Sequence, residues 1–184
     1  MVSQFVSPDR VRLLGDLDFD FPEGTHAVGR LDNHSEGLLL LTTNKKVTRL
    51  LFQGDMPHRR TYLVRVKNIV SPETLEELRK GVRIRTGHEA FHVSAPVSVS
   101  LVECPDYLNY EGPPLHANGR HSWLQITLTE GKFHQVRKMV AAVHHRCQRL
   151  IRISIEDLEL GDLKPGQVRE LSGENFFRLL RIGH

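Results

Sequence analysis

The chain has 184 residues, 26% of them charged, and a formal net charge of +3. That length allows one substantial core or two small lobes sharing a sheet, and the longest apolar stretch, Leu38 to Leu41, is far too short to span a bilayer. No basic–apolar–small leader opens the chain, so a cytoplasmic protein is expected; Cys104 and Cys147, far apart and at no zinc or redox spacing, read as free thiols.

Residues 1–24 are broken by Pro8 and by Pro22-Glu23-Gly24, and no long element is placed there. His26-Ala27-Val28 reads as a short strand leading into the polar turn Gly29-Arg30-Leu31-Asp32-Asn33-His34-Ser35-Glu36. Leu38 to Thr43 reads as the next strand, apolar on both faces and therefore central. Asn44 can cap a short helix running through Leu51, with Val47, Leu50 and Leu51 on one stripe. Thr61 to Val66 alternates and is rich in β-formers. Ser71-Pro72 opens a helix that buries Leu75 and Leu78 and stops at Gly81.

Val82 to Ile84 and Pro96 to Val102 follow as strands, and the Pro- and Gly-rich stretch from Cys104 to His121 reads as a long loop. Ser122 to Thr129 alternates strongly, Glu130-Gly131 turns the chain, and His134 to Val143 reads as a helix with Val136, Met139, Val140 and Val143 inward. Leu150 to Ile155 is a further strand. A strand near Val168 to Leu171 and a last helix over Asn175 to Arg181 complete the chain. Strands outnumber helices and are joined by short turns, which fits an α+β chain on a mixed, largely antiparallel sheet.

Asp32 is the most informative residue. A carboxylate in a short turn between two buried strands is costly unless it is paired or used; it could be a nucleophile or base, or a turn aspartate bonded to its own backbone. Arg137 and Lys138 fall in the first turn of a helix, where the dipole is positive, so an anion is expected nearby: a carboxylate, a phosphate, or both. An ordinary exposed cation is the alternative. From Lys132 to Arg152 the cations Lys132, Arg137, Lys138, Arg146, Arg149 and Arg152 meet no acid in the sequence, which makes a candidate phosphate-facing surface. Tyr62, on a strand just after Arg59-Arg60, is either a core aromatic or a platform on which a nucleobase stacks. His144-His145 diverge and His134 lies at no metal spacing from them, so no metal is expected; no phosphate loop or dinucleotide fingerprint occurs.

Taken in order, the segments Gly29-Arg30-Leu31-Asp32-x-x-Ser35-Glu36-Gly37-Leu38-Leu39-Leu40-Leu41-Thr42, Tyr62-x-Val64 and Glu130-Gly131-Lys132-Phe133-His134-Gln135-Val136-Arg137-Lys138-Met139 resemble the RsuA/RluB/RluE/RluF family of pseudouridine synthases. Arg149-Leu150-Ile151-Arg152-Ile153 resembles the family's closing motif. The resemblance implies the pseudouridine synthase fold, with a central active-site cleft and flanking helices, and the conversion of a uridine in ribosomal RNA to pseudouridine without cofactor or metal. It implies that Asp32 is the catalytic aspartate, that Tyr62 stacks on the target uracil, and that Arg137 pairs with the aspartate. Arg30 would help hold the flipped nucleotide, and Leu150 and Val136 would line the pocket. Lys132, Lys138, Arg149 and Arg152 are the expected phosphate contacts.

The reaction breaks the bond between uracil N1 and ribose C1′, turns the base and rejoins it through C5. It needs an ionised carboxylate and a base removed from its stack. Relatives carry an N-terminal strand with a Lys-Pro pair that this chain begins too late to include, and several carry an S4 domain that it lacks. A single catalytic domain over residues 1–184, built as two sub-lobes on one sheet, is therefore expected. RluE-like single-domain members are the nearer comparison, with large-subunit RNA, free or in a particle, as partner to a monomer. A non-catalytic RNA-binding or ribosome-assembly protein that keeps the fold is the rival reading, and a nucleoside hydrolase releasing uracil a lesser one.

Overall fold

The computed structural model describes residues 1–52, 56–87, 90–103, 105–108 and 120–183. In chain order its elements are β1 (His26–Val28), β2 (Glu36–Gly37), β3 (Leu40–Thr42), α1 (Val47–Phe52), β4 (Arg60–Lys67), α2 (Pro72–Lys80), β5 (Val82–Arg85), β6 (Phe91–Ser94), β7 (Ser98–Val102), β8 (His121–Leu128), α3 (Gln135–Ala142), β9 (Cys147–Ile155), β10 (Leu158–Glu159) and α4 (Gly173–Leu180). The three long alternating strands form the middle of one sheet, in the order β10-β9-β4-β8-β7, and β2 adds to β9 in parallel. All other pairings in that sheet are antiparallel.

Alternation sends successive side chains to opposite faces, and each face buries its own cluster. Val64, Val66, Leu124, Ile126 and Leu150 pack with Met139 and Val140 of α3 and with Leu75 and Leu78 of α2. Leu63, Ile151 and Ile155 pack with Val47 and Leu51 of α1 and with Phe177 and Leu180 of α4. Each fully buried aliphatic side chain contributes roughly 1.5–3 kcal/mol over leaving it exposed, so the sheet is held from both sides.

Local chemistry sets the helix ends. Ser71 accepts the Thr74 amide at 3.2 Å with Pro72 behind it, and Gly81, at φ 95°, stops α2. Ser172 accepts the Asn175 amide at the start of α4.

Two expectations need correction, and one strand had not been expected. Leu38 to Thr43 is not central: among the described residues β3 pairs only with β1, in a two-stranded ribbon, because its apolar residues pack against α1 and α4 instead of between strands. Val168 to Leu171 forms no strand. The second strand of the β5–β6 hairpin was not foreseen: its apolar Phe91 and Val93 are exposed while Ser94 is buried, the reverse of the alternation that marks a half-buried strand. Of the stretch from Cys104 to His121, Asp106–Leu108 makes a short 3-10 turn, while Cys104 and residues 109–119 lie outside the described residues. Among the described residues no helix is long and apolar enough to cross a membrane.

Candidate active site

The Asp32 turn is fixed at both ends. On its entry side Ser3 grips Leu31 twice, its hydroxyl accepting the Leu31 amide at 3.0 Å and donating to the Leu31 carbonyl at 3.3 Å. Within the turn the Ser35 amide bonds the Asp32 carbonyl at 2.8 Å. On the exit side Gly37, at φ 100°, lies so close to β9 that a Cβ would fall 2.3 Å from the Arg152 carbonyl oxygen. Only glycine permits that approach. The Leu38 amide then donates to the Arg152 carbonyl, and the Arg152 Nε donates back to the Leu38 carbonyl, both at 2.8 Å. Glu36 accepts a bidentate pair from Arg149, at 2.8 and 3.0 Å. The Asp32 carboxylate projects from this clamp about one-third exposed.

The start of α3 closes on the turn from the other side. His134, in the left-handed region at φ 53°, places Nε2 3.7 Å from Asp32 Oδ1 and stacks on Phe133 with ring centroids 3.9 Å apart. Arg137 donates Nη2 to the His34 carbonyl and Nη1 to Cys147 Sγ at 3.5 Å. The expected Arg137–Asp32 ion pair is therefore not formed: the guanidinium is spent on a carbonyl and a thiol of the surrounding backbone and strand. Burial pushes the Cys147 thiol up, offset in part by Arg137. Buried Gln135 holds the helix start in place. Its Oε1 accepts the Lys132 amide at 2.8 Å and its Nε2 donates to Ser94 and to Glu130, which also receives His92 Nε2 at 2.8 Å.

Tyr62 lies opposite Arg152 in the β4–β9 ladder and packs against the α3-side cluster. Arg152 is only 4% exposed. Burial pulls its pKa down, while Tyr62 and, more weakly, Asp32 favour the charged form. Arg60 is also buried, with its own pKa lowered by burial, and its guanidinium lies over the Phe52 ring.

The structure thus brings Asp32, Arg137, Tyr62 and Arg152 to one region, with buried Val136 and Leu150 in the cluster beneath Tyr62. Arg30 is exposed and bonded to none of these groups among the described residues. Lys132 is exposed, and Lys138 lies 5.3 Å from the centre of the exposed Phe133 ring. Arg149 and Arg152, also expected to meet phosphate, differ from these two lysines. Both point inward, from opposite faces of β9, the first onto Glu36 and the Leu108 carbonyl, the second onto the Leu38 carbonyl, because β9 lies inside the sheet and both of its faces are covered. A cavity of about 1010 Å³ opens on the other side of the turn, where Asp32 and Ser35 meet Leu14, Leu160 and Phe176; Tyr62, Arg137 and Arg152 do not line it. Among the described residues no cluster of His, Cys, Asp and Glu could hold a metal ion.

Sequence reasoning missed His134 as a neighbour of Asp32, and it missed the burial of Arg60 and Arg152. For Arg152 a signal existed: it shares strand parity with Leu150, a core position.

Residues 12–142 match the family described as RNA pseudouridylate synthase. The ribosomal large subunit pseudouridine synthase E of Vibrio parahaemolyticus is 36% identical over 172 residues, covering 92% of this chain and 69% of that one. An uncharacterised RNA pseudouridine synthase of Aquifex aeolicus is 31% identical, covering 95% of this chain and 63% of its own. A solved pseudouridylate synthase matches with a TM-score of 0.67 at 26% identity, over 88% of this chain and 63% of that chain. The Cbf5-Nop10-Gar1 complex contains a chain alike in fold alone, at 13% identity and a TM-score of 0.54, over 74% of this chain and 42% of its own.

Proposed function

The chain belongs to the RNA pseudouridylate synthase family, and from that premise we propose that it converts one uridine of large-subunit ribosomal RNA to pseudouridine, with Asp32 as the reacting carboxylate. The observation that carries this reading is the mounting of Asp32: a partly exposed carboxylate on a turn clamped to β9, faced by His134 and the start of α3. Rigid placement of a reacting group is what lets an enzyme convert binding into rate. Attack on the nucleoside requires a carboxylate with an accessible oxygen, and Asp32 is about one-third exposed beside the start of α3.

In this reading the target uridine leaves its stack, at a cost of a few kcal/mol, and its base rests on Tyr62. Arg137 holds the turn that carries Asp32, Arg30 meets the nucleotide from the open side, and Lys132 and Lys138 meet phosphates. Val136 and Leu150 form the apolar floor. The N1–C1′ bond breaks, the uracil turns, C5 bonds to C1′ and then gives up its proton, and N1 takes one up; atoms and electrons are conserved overall, and the isomerisation needs no oxidant. The catalytic unit is one domain, acting as a cytoplasmic monomer.

The test is chemical labelling of pseudouridine in large-subunit RNA fragments incubated with the protein and with Asp32→Asn. Product from the parent and none from the variant, with RNA affinity kept within about threefold, supports the reading. Binding by both without product favours a non-catalytic RNA-binding protein, and free uracil favours a hydrolase.

A further inference from the structure

Arg152 is an expensive residue to place where it stands. Its guanidinium is buried in the central strand of the sheet, with no carboxylate within 4 Å among the described residues, and its Nη2 has no hydrogen-bond partner. A buried cation without an ion-pair partner costs several kcal/mol, and an unspent buried donor about 1–3 kcal/mol more. Apolar side chains of similar volume fill such positions with no loss of stability in other proteins. A cation kept here must return something other than packing.

Its neighbours indicate what. Nε holds the Leu38 carbonyl at 2.8 Å, which fixes the segment leaving the Asp32 turn. Across the ladder stands Tyr62, whose hydroxyl lies near enough to favour the guanidinium's charge, and Asp32 acts on it in the same sense. The backbone of the same residue receives the Leu38 amide and packs on Gly37. One residue therefore touches or faces the turn, the aromatic platform and the carboxylate.

Building on the proposed isomerase activity, we propose that Arg152 is a positioning residue for isomerisation: its guanidinium sets Tyr62 and the Asp32 turn in register with each other, and it makes no contact with RNA phosphate. A structural arginine and a positioning arginine differ in what their loss changes. Removing a structural one lowers stability and leaves the chemical step of the folded protein alone. Removing a positioning one slows the step while stability and RNA affinity persist.

The experiment measures single-turnover isomerisation, RNA affinity and thermal unfolding for Arg152→Met, Arg152→Lys, Tyr62→Phe and the Arg152→Met/Tyr62→Phe pair. Arg152→Met should melt at or above the parent, bind RNA within about threefold and lose about 30-fold or more in rate, with Arg152→Lys recovering part of it. The losses from Arg152→Met and Tyr62→Phe should be non-additive, as expected of groups that act together. A parent-like rate in Arg152→Met, additive losses, or a weaker salt dependence of RNA binding would each overturn the proposal. Should Arg152→Met fail to fold, Arg152→Lys decides: a tenfold slower step at unchanged affinity supports it, and the parent rate overturns it. Asp32→Asn runs in parallel, so that an active Asp32→Asn marks failure of the functional reading itself and not of Arg152's role alone.

Discussion

The Arg137 guanidinium bonds the backbone carbonyl of His34, two residues past Asp32, and not the Asp32 carboxylate. A charged donor on a carbonyl fixes where the turn sits without neutralising the group that must react. Arg137→Ala should therefore slow single-turnover isomerisation by about 100-fold, the usual penalty for displacing a reacting group by an ångström or so. Stability should fall by only about 1 kcal/mol, since the bond is solvent-exposed. Rates on labelled RNA together with urea unfolding of the same variant check both halves. A loss confined to stability would show that the tether does not serve the chemistry.

Gly37 is the position where the turn tolerates least. A Cβ there meets backbone, not a movable side chain, and the φ of 100° is one that L-residues rarely adopt. Gly37→Ala should cost about 3 kcal/mol or more, by forcing β2 off β9. Gly173 is the control, since nothing lies within 4 Å of a Cβ built at the first residue of α4. Gly173→Ala should be neutral or stabilising by a few tenths of a kcal/mol. Thermal melts of the two variants side by side make the comparison.

Much of this was legible in the chain. The long strands announced themselves by alternation, the start of α2 by Ser71-Pro72, and the Asp32 turn by its polar run between apolar blocks. These signals are local, and local chemistry decides them. What stayed hidden depends on contacts between residues far apart in sequence. Glu36 and Arg149 are 113 positions apart, so nothing local revealed that an arginine in a basic run was already paired. The two-residue β2 was unreadable for the same reason: it is a strand only because β9 lies beside it. The β3 segment misled because packing on two helices produces the same apolar pattern as burial between strands.

The basic stretch splits into surface and interior cations, and RNA binding can tell them apart. Removing one cation that meets a phosphate lowers the slope of log affinity against log salt by about 0.7 on single strands and about 0.9 on duplex. Lys132→Ala and Lys138→Ala should each lower it by about that amount. Arg149→Ala should leave the slope unchanged and lower stability instead, because it takes the bidentate partner from Glu36 at the turn. Filter binding over a salt series distinguishes these outcomes, and an unchanged slope in both lysine variants would remove them from the RNA surface.

Asp157 and Arg181 give the fold a pH dependence remote from the proposed chemistry. Arg181, which ends α4 in the left-handed region, donates Nε and Nη2 to the Asp157 carboxylate at 2.8 and 2.9 Å, tying the helix end to the turn after β9. The Arg181 bonds come first among the causes that hold the Asp157 carboxyl below its usual range, with Arg59 and Arg178 adding to them. A carboxyl with a lowered folded-state pKa binds protons less readily folded than unfolded. Its stabilising effect is complete above the unfolded value, about pH 4, and fades as pH falls through the lower native value. Asp157→Asn should therefore melt below the parent near neutrality, and the two melting curves should converge in acid. The pair is exposed, so the gap should be small and should shrink in high salt. A gap that persists below the native carboxyl range would place the cause in the loss of shape or hydrogen bonding at residue 157, and not in its charge.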